Sequence, residues 1–463
     1  MRLPLDVLSR RLLSPPMAVL AAFVVGFALV AWSLWQRAAG LQQPAYDTAF
    51  FEQVVWNVGH GGGFVSGFFP ANFLGLHFSP LLALPAVLEL AWPDARLLGL
   101  LHAAALALSA PAAYLLFSAL LEGRAGRIVA AALAAPLPFW LVLQRAALAG
   151  FHSESLGLPL ALVAGWAGLR GRWLMCWVCA VAALLAREDL AYAVAVIGLL
   201  LAFHGPVRAQ GAALAVVAVV FGAMVELALM PALRASVPSD LASYYSWLPH
   251  AGPGAVIAAL ANPAGWLAFA AMVASLAGLP ILRPAWLALA LPPFAADLLS
   301  AHFPQPLLHL QYGLPLVVPV LVAGGLGAQR LLRSPRLQRR PAALAGLALP
   351  ALVIGVLFGP LALQRSAVSP PALGRLSACA SQLPGSASLA SDDPAAAALA
   401  ARSVERPLTW VRSGDWVLVD RQGPQPTYVN AGARDAHLAA LPRQGRRLYC
   451  DDGRFQLWGP ARA

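Results

Sequence analysis

Residues 95–121 read ARLLGLLHAAALALSAPAAYLLFSALL, and the 25 positions after Arg96 carry no further charge. A bilayer's hydrocarbon core needs roughly 20 apolar residues of helix to cross it, so this run is long enough to span. Runs of the same kind recur along the chain at 17–36, 128–147, 155–169, 173–186, 190–203, 210–233, 263–282, 284–300, 312–330 and 342–362. Together they predict about eleven spans. Ser79–Trp92 is apolar but short, and reads as a re-entrant or interfacial helix.

The whole composition agrees. Of 463 residues, 60% are hydrophobic and 11% charged, with mean hydropathy +0.71. A soluble domain carries about 25% charged residues. The net charge is +11, and every one of the 31 basic side chains is arginine. The resulting pI of about 10.3 would suggest nucleic acid in a soluble protein. Here the arginines sit between apolar runs, where they set topology, so nucleic acid is not an expected partner.

Arg2, Arg10, Arg11, Arg124, Arg127, Arg170, Arg172, Arg208, Arg283 and the cluster from Arg330 to Arg340 fall in alternate loops. This alternation predicts a cytoplasmic N-terminus in the cell's inner (plasma) membrane. An odd number of spans then places residues 363–463 outside. That tail mixes β-like runs (Trp416–Asp420, Arg447–Cys450, Phe455–Trp458) with an alanine-rich run, Pro394–Arg402. The expected fold is therefore an all-α polytopic membrane unit over 1–362, with a long first outer loop at 37–78, followed by a small extracytoplasmic α/β domain over 363–463. Cys176 and Cys179 read as small apolar fillers within a helix. Cys379 and Cys450 both fall in the tail, where an outside position permits a disulfide, and the sequence leaves that pairing open.

Ionisable residues near a membrane are costly and are the first candidates for function. On the outer side they gather in few places. The first loop holds YDTAFFEQVVWN (46–57) and ends in HFSP (77–80). Its helical spacing predicts a surface amphipathic helix, with Asp47 placed to cap it. Gln144-Arg145 and FHSES (151–155) join the third and fourth spans, and Arg187-Glu188-Asp189 joins the fifth and sixth. Glu226, Asp297, His302, His309, Gln311 and Tyr312 follow. Arg145, Arg187 and Arg234 break the inside bias of the other arginines and offer fixed donor forks for a phosphate. Carboxylates beside arginines at a membrane mouth suit transfer of a sugar from a lipid-linked phosphate to a hydroxyl. No GxxxxGK[ST] or HExxH motif occurs.

These segments, with RED (187–189), HLQYGLPLVVP (309–319), LASDDPAAAALAARS (389–403) and WVLVD (416–420), resemble in order and spacing the prokaryotic membrane family catalogued as domain of unknown function 2079. That family looks like a branch of the GT-C-type glycosyltransferases, many-helix enzymes that use polyprenyl-phosphate sugars. The resemblance implies a GT-C-like fold, a catalytic acid at Asp47, a phosphate-approaching base at Arg187, and the family's acid at Glu188. The family's second loop acid, often Asp, is Glu52 here.

The expected function is therefore a membrane glycosyltransferase. It would move sugar from a polyprenyl-phosphate donor to a glycan, lipid or protein acceptor at the outer face. Asp47 would be catalytic. Arg145, His152, Glu154, Arg187, Glu188, Asp189, His77, Gln53, His309 and Tyr312 would contact substrate. A divalent metal ion, if used, would draw on Asp47, Glu52 and Glu188. Two other classes compete: a transporter or flippase of a lipid-linked or anionic substrate, and a non-catalytic envelope scaffold. The first calls for charges through the bilayer depth and an internal repeat. The second calls for a tail that functions without Asp47.

Overall fold

The structure, a computed structural model, describes residues 14–43, 45–360, 372–422, 436 and 438–460. Among the described residues, seven helices are long and apolar enough to cross a membrane: Pro15–Ala39, Arg96–Leu120, Gly123–Leu148, Arg208–Arg234, Pro253–Ser275, Leu314–Leu331 and Pro341–Phe358. Shorter apolar helices lie at Pro80–Glu89, Glu154–Leu169, Trp173–Leu184, Leu190–His204 and Pro284–Leu299. The chain is thus a multi-pass membrane protein. Each of the eleven expected spans contains helix, but four fall short of the length a bilayer requires.

The bundle is built around Leu314–Leu331, which is apolar on every side and buried from Leu316 to Ala323. Peripheral helices bury one stripe only. Pro15–Ala39 buries Val19, Gly26, Val30, Leu34 and Ala38 and exposes the rest, as a lipid-facing helix does. Lipid supplies no hydrophobic drive between helices, so close packing must. Leu190–His204 and Arg208–Met224 meet at small residues. A Cβ on Gly198 would lie 2.4 Å from the Ala215 amide nitrogen, and one on Gly211 would lie 2.2 Å from that of Ala202.

Three loop arginines reach carbonyls in the last turns of neighbouring helices. Arg170, Arg283 and Arg330 donate to the Ser118, Leu326 and Leu282 carbonyls.

The tail carries a five-stranded sheet in the order β2-β1-β3-β5-β4. Its strands are β1 (Leu389–Ser391), β2 (Glu405–Pro407), β3 (Trp416–Asp420), β4 (Leu448–Asp451) and β5 (Phe455–Trp458). β1 pairs parallel with β2 and β3, and β5 pairs antiparallel with β3 and β4. Three of the strands and the helix Asp393–Leu399 match the β-like and alanine-rich runs. β1 and β2, three residues each, are too short to show alternation.

Cys379, on helix Leu373–Ala380, is disulfide-bonded to Cys450 on β4, 71 residues away in sequence. In a chain-entropy account a loop of this length contributes about 4 kcal/mol. Cys379→Ser is expected to lower the stability of the sheet by about 2–4 kcal/mol. Denaturant unfolding monitored by amide exchange of β3 and β5 measures this, and an unchanged midpoint would refute it.

Candidate active site at the membrane rim

The first loop differs from its expectation. Asp47 lies in a π-turn, Ala45–Ala49, that runs into helix Phe50–Gly59. The N-cap of that helix is Ala49, with no side-chain cap, so the Asp47 carboxylate is not used as a cap. Nor does the helix lie on the surface. Phe50, Phe51, Glu52, Gln53, Val54, Val55 and Asn57 are buried, because the rest of the first loop, the helix Ala83–Glu89 and the tail cover them. π-turns are rare and frequent at functional sites.

The turn presents Asp47 to His152, whose Nε2 lies 3.3 Å from Asp47 Oδ1. His152 Nδ1 lies 3.3 Å from the Gly150 carbonyl. Burial alone would lower the imidazole's pKa, but the Asp47 carboxylate raises it above its ordinary value. Two residues on, Glu154 accepts from Arg187 Nη1 at 2.5 Å. Arg187 Nε lies 3.7 Å from both Glu188 Oε1 and Asp189 Oδ2. Glu188 is held in turn by His77 Nδ1 at 3.1 Å and by the Phe78 amide at 2.8 Å. Burial opposes charge on Glu188, yet the His77 hydrogen bond and the neighbouring charges hold its carboxyl down at about 2. The Ser79 and Ser153 hydroxyls, 2.9 Å apart, tie the two loops together. Four segments separated by up to 142 residues (47 to 189) thus deliver Asp47, His77, His152, Glu154, Arg187, Glu188 and Asp189 to one connected network.

Within it, Asp47 and Asp189 are the solvent-reaching carboxylates, with 28% and 34% of their side chains exposed against 3% for Glu154 and 8% for Glu188; Asp189 lies beside Arg187, and Asp47 beside His152. Opposite stand rings. Tyr244 and His302 stack at 4.7 Å, and Tyr312 meets His302 edge-on at 5.6 Å. Asp47 acts electrostatically on both His302 and Tyr312. Tyr244 was not singled out in the sequence, since nothing about a lone tyrosine there marks it.

Arg145 donates to the Leu307 and Leu308 carbonyls and, among the described residues, forms no ion pair. His309 is its neighbour. The loop there is strained: Leu308 and Leu310 have φ of 50° and 55°, a left-handed conformation that costs a side-chain-bearing residue and clusters at functional sites.

Two sequence candidates lie apart. The Gln53 amide is engaged by protein: its oxygen accepts from Ser66 Oγ (2.7 Å) and the Gly67 amide (2.6 Å), and its nitrogen donates to the Arg402 carbonyl. Glu52 faces Glu89, and burial with that second carboxyl pushes its pKa well up. The three metal candidates therefore point to different partners: Asp47 to His152, Glu52 to Glu89, Glu188 to His77. Among the described residues no group of three His, Cys, Asp or Glu side chains is gathered to hold a metal, so these residues do not fit one as a set.

An apolar groove of about 790 Å³ shares the helix Glu154–Leu169 with this network. Its lining includes Leu81, Leu84, Ala104, Leu108, Leu156 and Leu160. Leu156 sits two residues beyond Glu154. The Leu81 amide donates to the Leu185 carbonyl, two residues before Arg187.

Membrane-length helices with a charged chamber where the connecting loops meet define a multi-pass membrane protein whose candidate chemistry lies at the rim of its bundle. Within that class, the chain belongs to the family described as Predicted membrane protein (DUF2079), whose profile matches residues 37–446. No curated protein matches it by sequence. Solved structures of similar path include Cupriavidus metallidurans ArnT bound to undecaprenyl phosphate. That structure is 13% identical with TM-score 0.49, over 94% of this chain and 97% of that one. The Archaeoglobus fulgidus oligosaccharyltransferase in its apo form is 12% identical with TM-score 0.42, over 96% and 74%. Each is a distant likeness of overall path and carries nothing about this chain's chemistry.

Proposed function

We propose that this protein is a membrane glycosyltransferase that moves a sugar from a polyprenyl-phosphate donor to an acceptor hydroxyl at the outer face of the plasma membrane. The observation that carries the reading is the junction of two environments. A charged chamber with an accessible carboxylate at Asp47 shares the helix Glu154–Leu169 with an apolar groove. A donor with a water-seeking phosphosugar and a hydrocarbon tail matches both halves at once.

In the proposed reaction, Asp47 accepts the proton of the acceptor hydroxyl as its oxygen attacks the anomeric carbon. The bond from that carbon to the phosphate oxygen breaks, and its electron pair leaves with the polyprenyl phosphate. His152 orients Asp47. Arg187 is already engaged by Glu154, Glu188 and Asp189, so its role here is to hold the chamber's acids in register. Arg145, bound only to carbonyls, is the better phosphate contact, with His309 beside it. Tyr312 lines the sugar's space, and His77 and Asp189 complete the wall. The acceptor class, glycan, lipid or protein, stays open within this proposal. In the same reading, the arginine-bearing loops face the cytoplasm, residues 1–362 form the membrane unit, and 363–463 form an outer one. Residues 361–371, at that boundary, lie outside the described residues.

Filling the groove tests the donor assignment. Ala104→Trp is expected to raise KM for a long-chain polyprenyl donor by about tenfold, the cost of roughly one displaced isoprenoid contact. KM for a donor with a single isoprene unit should not change. An equal effect on both donors, or none on either, would reject the groove as the tail site.

A further inference from the structure

We infer that the C-terminal sheet unit is a positioning element of the site, holding the turn that bears Asp47 through a direct docking contact with the first loop. The inference builds on the reading of Asp47 as the reacting group, but its contact geometry stands by itself.

The docking has an apolar part and a polar part. Helix Asp393–Leu399 packs on the π-turn Ala45–Ala49 itself. Ala396, Ala397 and Ala400 share one core with Ala49, Phe50 and Phe51. That core reaches the other half of the pair. Phe51 meets the Phe151 ring edge-on at 5.3 Å and the His152 ring at 5.7 Å. One packed layer therefore backs both Asp47 and His152, so a shift of the tail is felt at both ends of their contact.

The polar part fixes register. Asn57 Nδ2 donates to the Val65 carbonyl at 3.0 Å and the Ser403 carbonyl at 3.1 Å. Gln53 Nε2 reaches the Arg402 carbonyl at 3.4 Å. At Gly67 the backbones come so close that an added Cβ would lie 2.0 Å from the Glu405 carbonyl oxygen. Only glycine lets strand β2 approach. Buried amides that spend their donors on carbonyls about 350 residues away define one seating, and slippage would leave them unsatisfied. The tail thus restrains a turn that would otherwise lie at the edge of a long loop, the class of segment that opens most easily. Gln53 and Asn57 are positioning residues, acting on Asp47 through the helix that follows it.

The test uses the full chain in lipid nanodiscs and reads amide hydrogen exchange, which needs no substrate. Gly67→Val blocks the approach of β2 sterically, and Asn57→Ala removes the register bonds while leaving the backbone free. In Gly67→Val, exchange over residues 45–59 is expected to rise about tenfold or more while β3 and β5 stay protected. In Asn57→Ala the rise should be smaller and confined to the same segment. Should Gly67→Val loosen the strands as well, Asn57→Ala decides alone. Unchanged protection of 45–59 in Asn57→Ala, with or without that loosening, overturns the inference. Where transfer is measurable, kcat should fall in both variants with KM for the lipid donor unchanged, since the groove is untouched. A fall in transfer with no change in exchange would also count against a positioning role. Faster exchange in a chain that transfers nothing would uphold the docking and reject only the proposed reaction.

Discussion

Asp47→Asn is expected to reduce sugar transfer by about 10³-fold or more while the protein remains inserted and folded. The substitution is nearly isosteric, and the amide oxygen can still accept from His152, so the 3.3 Å contact need not be lost. What is lost is the capacity to take a proton. Two neighbouring acids are committed elsewhere. Glu154 is engaged by Arg187, and both oxygens of Glu188 accept from His77 and Phe78. Chromatographic behaviour and exchange over the bundle should match the parent chain, while product formation vanishes. Transfer within threefold of the parent would remove Asp47 from the chemistry.

Arg187→Met is expected to have the largest effect on stability, about 3–5 kcal/mol, because it leaves buried carboxylates without their cation. Arg187 is 11% exposed and lies within ion-pair distance of Glu154, Glu188 and Asp189. Burial alone would lower its pKa, but these acids together raise it above its ordinary value. Arg187→Lys should recover only part, since an ammonium cannot span the same directions as a planar fork. Adding Glu154→Gln to Arg187→Met should restore stability, which a double-mutant cycle in denaturant would read as a strong coupling. Additive losses would show that the pair does not interact. The same network sets an acid limit. Glu188 sits at about 2 in the folded chain against 4.5 ordinarily, so its contribution is present above about pH 4.5 and is lost as pH falls toward 2.

The membrane class was legible because apolar runs of bilayer length leave few alternatives. The acids and histidines of the chamber were legible because charges that interrupt such runs at one face are expensive. Their pairing was not. His77 and Glu188 lie 111 residues apart, and no spacing rule joins them. The same distance problem hid the docking of the tail, and with it the burial of helix Phe50–Gly59. Read alone, FFEQVVWN looks like a surface helix, and it is the alanines of 393–400 together with Phe68, Phe73, Leu82 and Phe151 that make it an internal one. Glu52 and Gln53 looked like site residues because they share a loop with Asp47, but helical geometry turns them toward Glu89 and Arg402 instead. Arg187 was read as a free phosphate donor because the turn RED shows charges but not their partners. Three-residue strands such as β1 carry too little pattern to be read at all.

The most direct test of the account follows release of polyprenyl phosphate from a panel of polyprenyl-phosphate hexoses by the purified chain in lipid nanodiscs. The account predicts turnover of at least one donor by the parent chain and none by Asp47→Asn. Equal release by the two chains would contradict it.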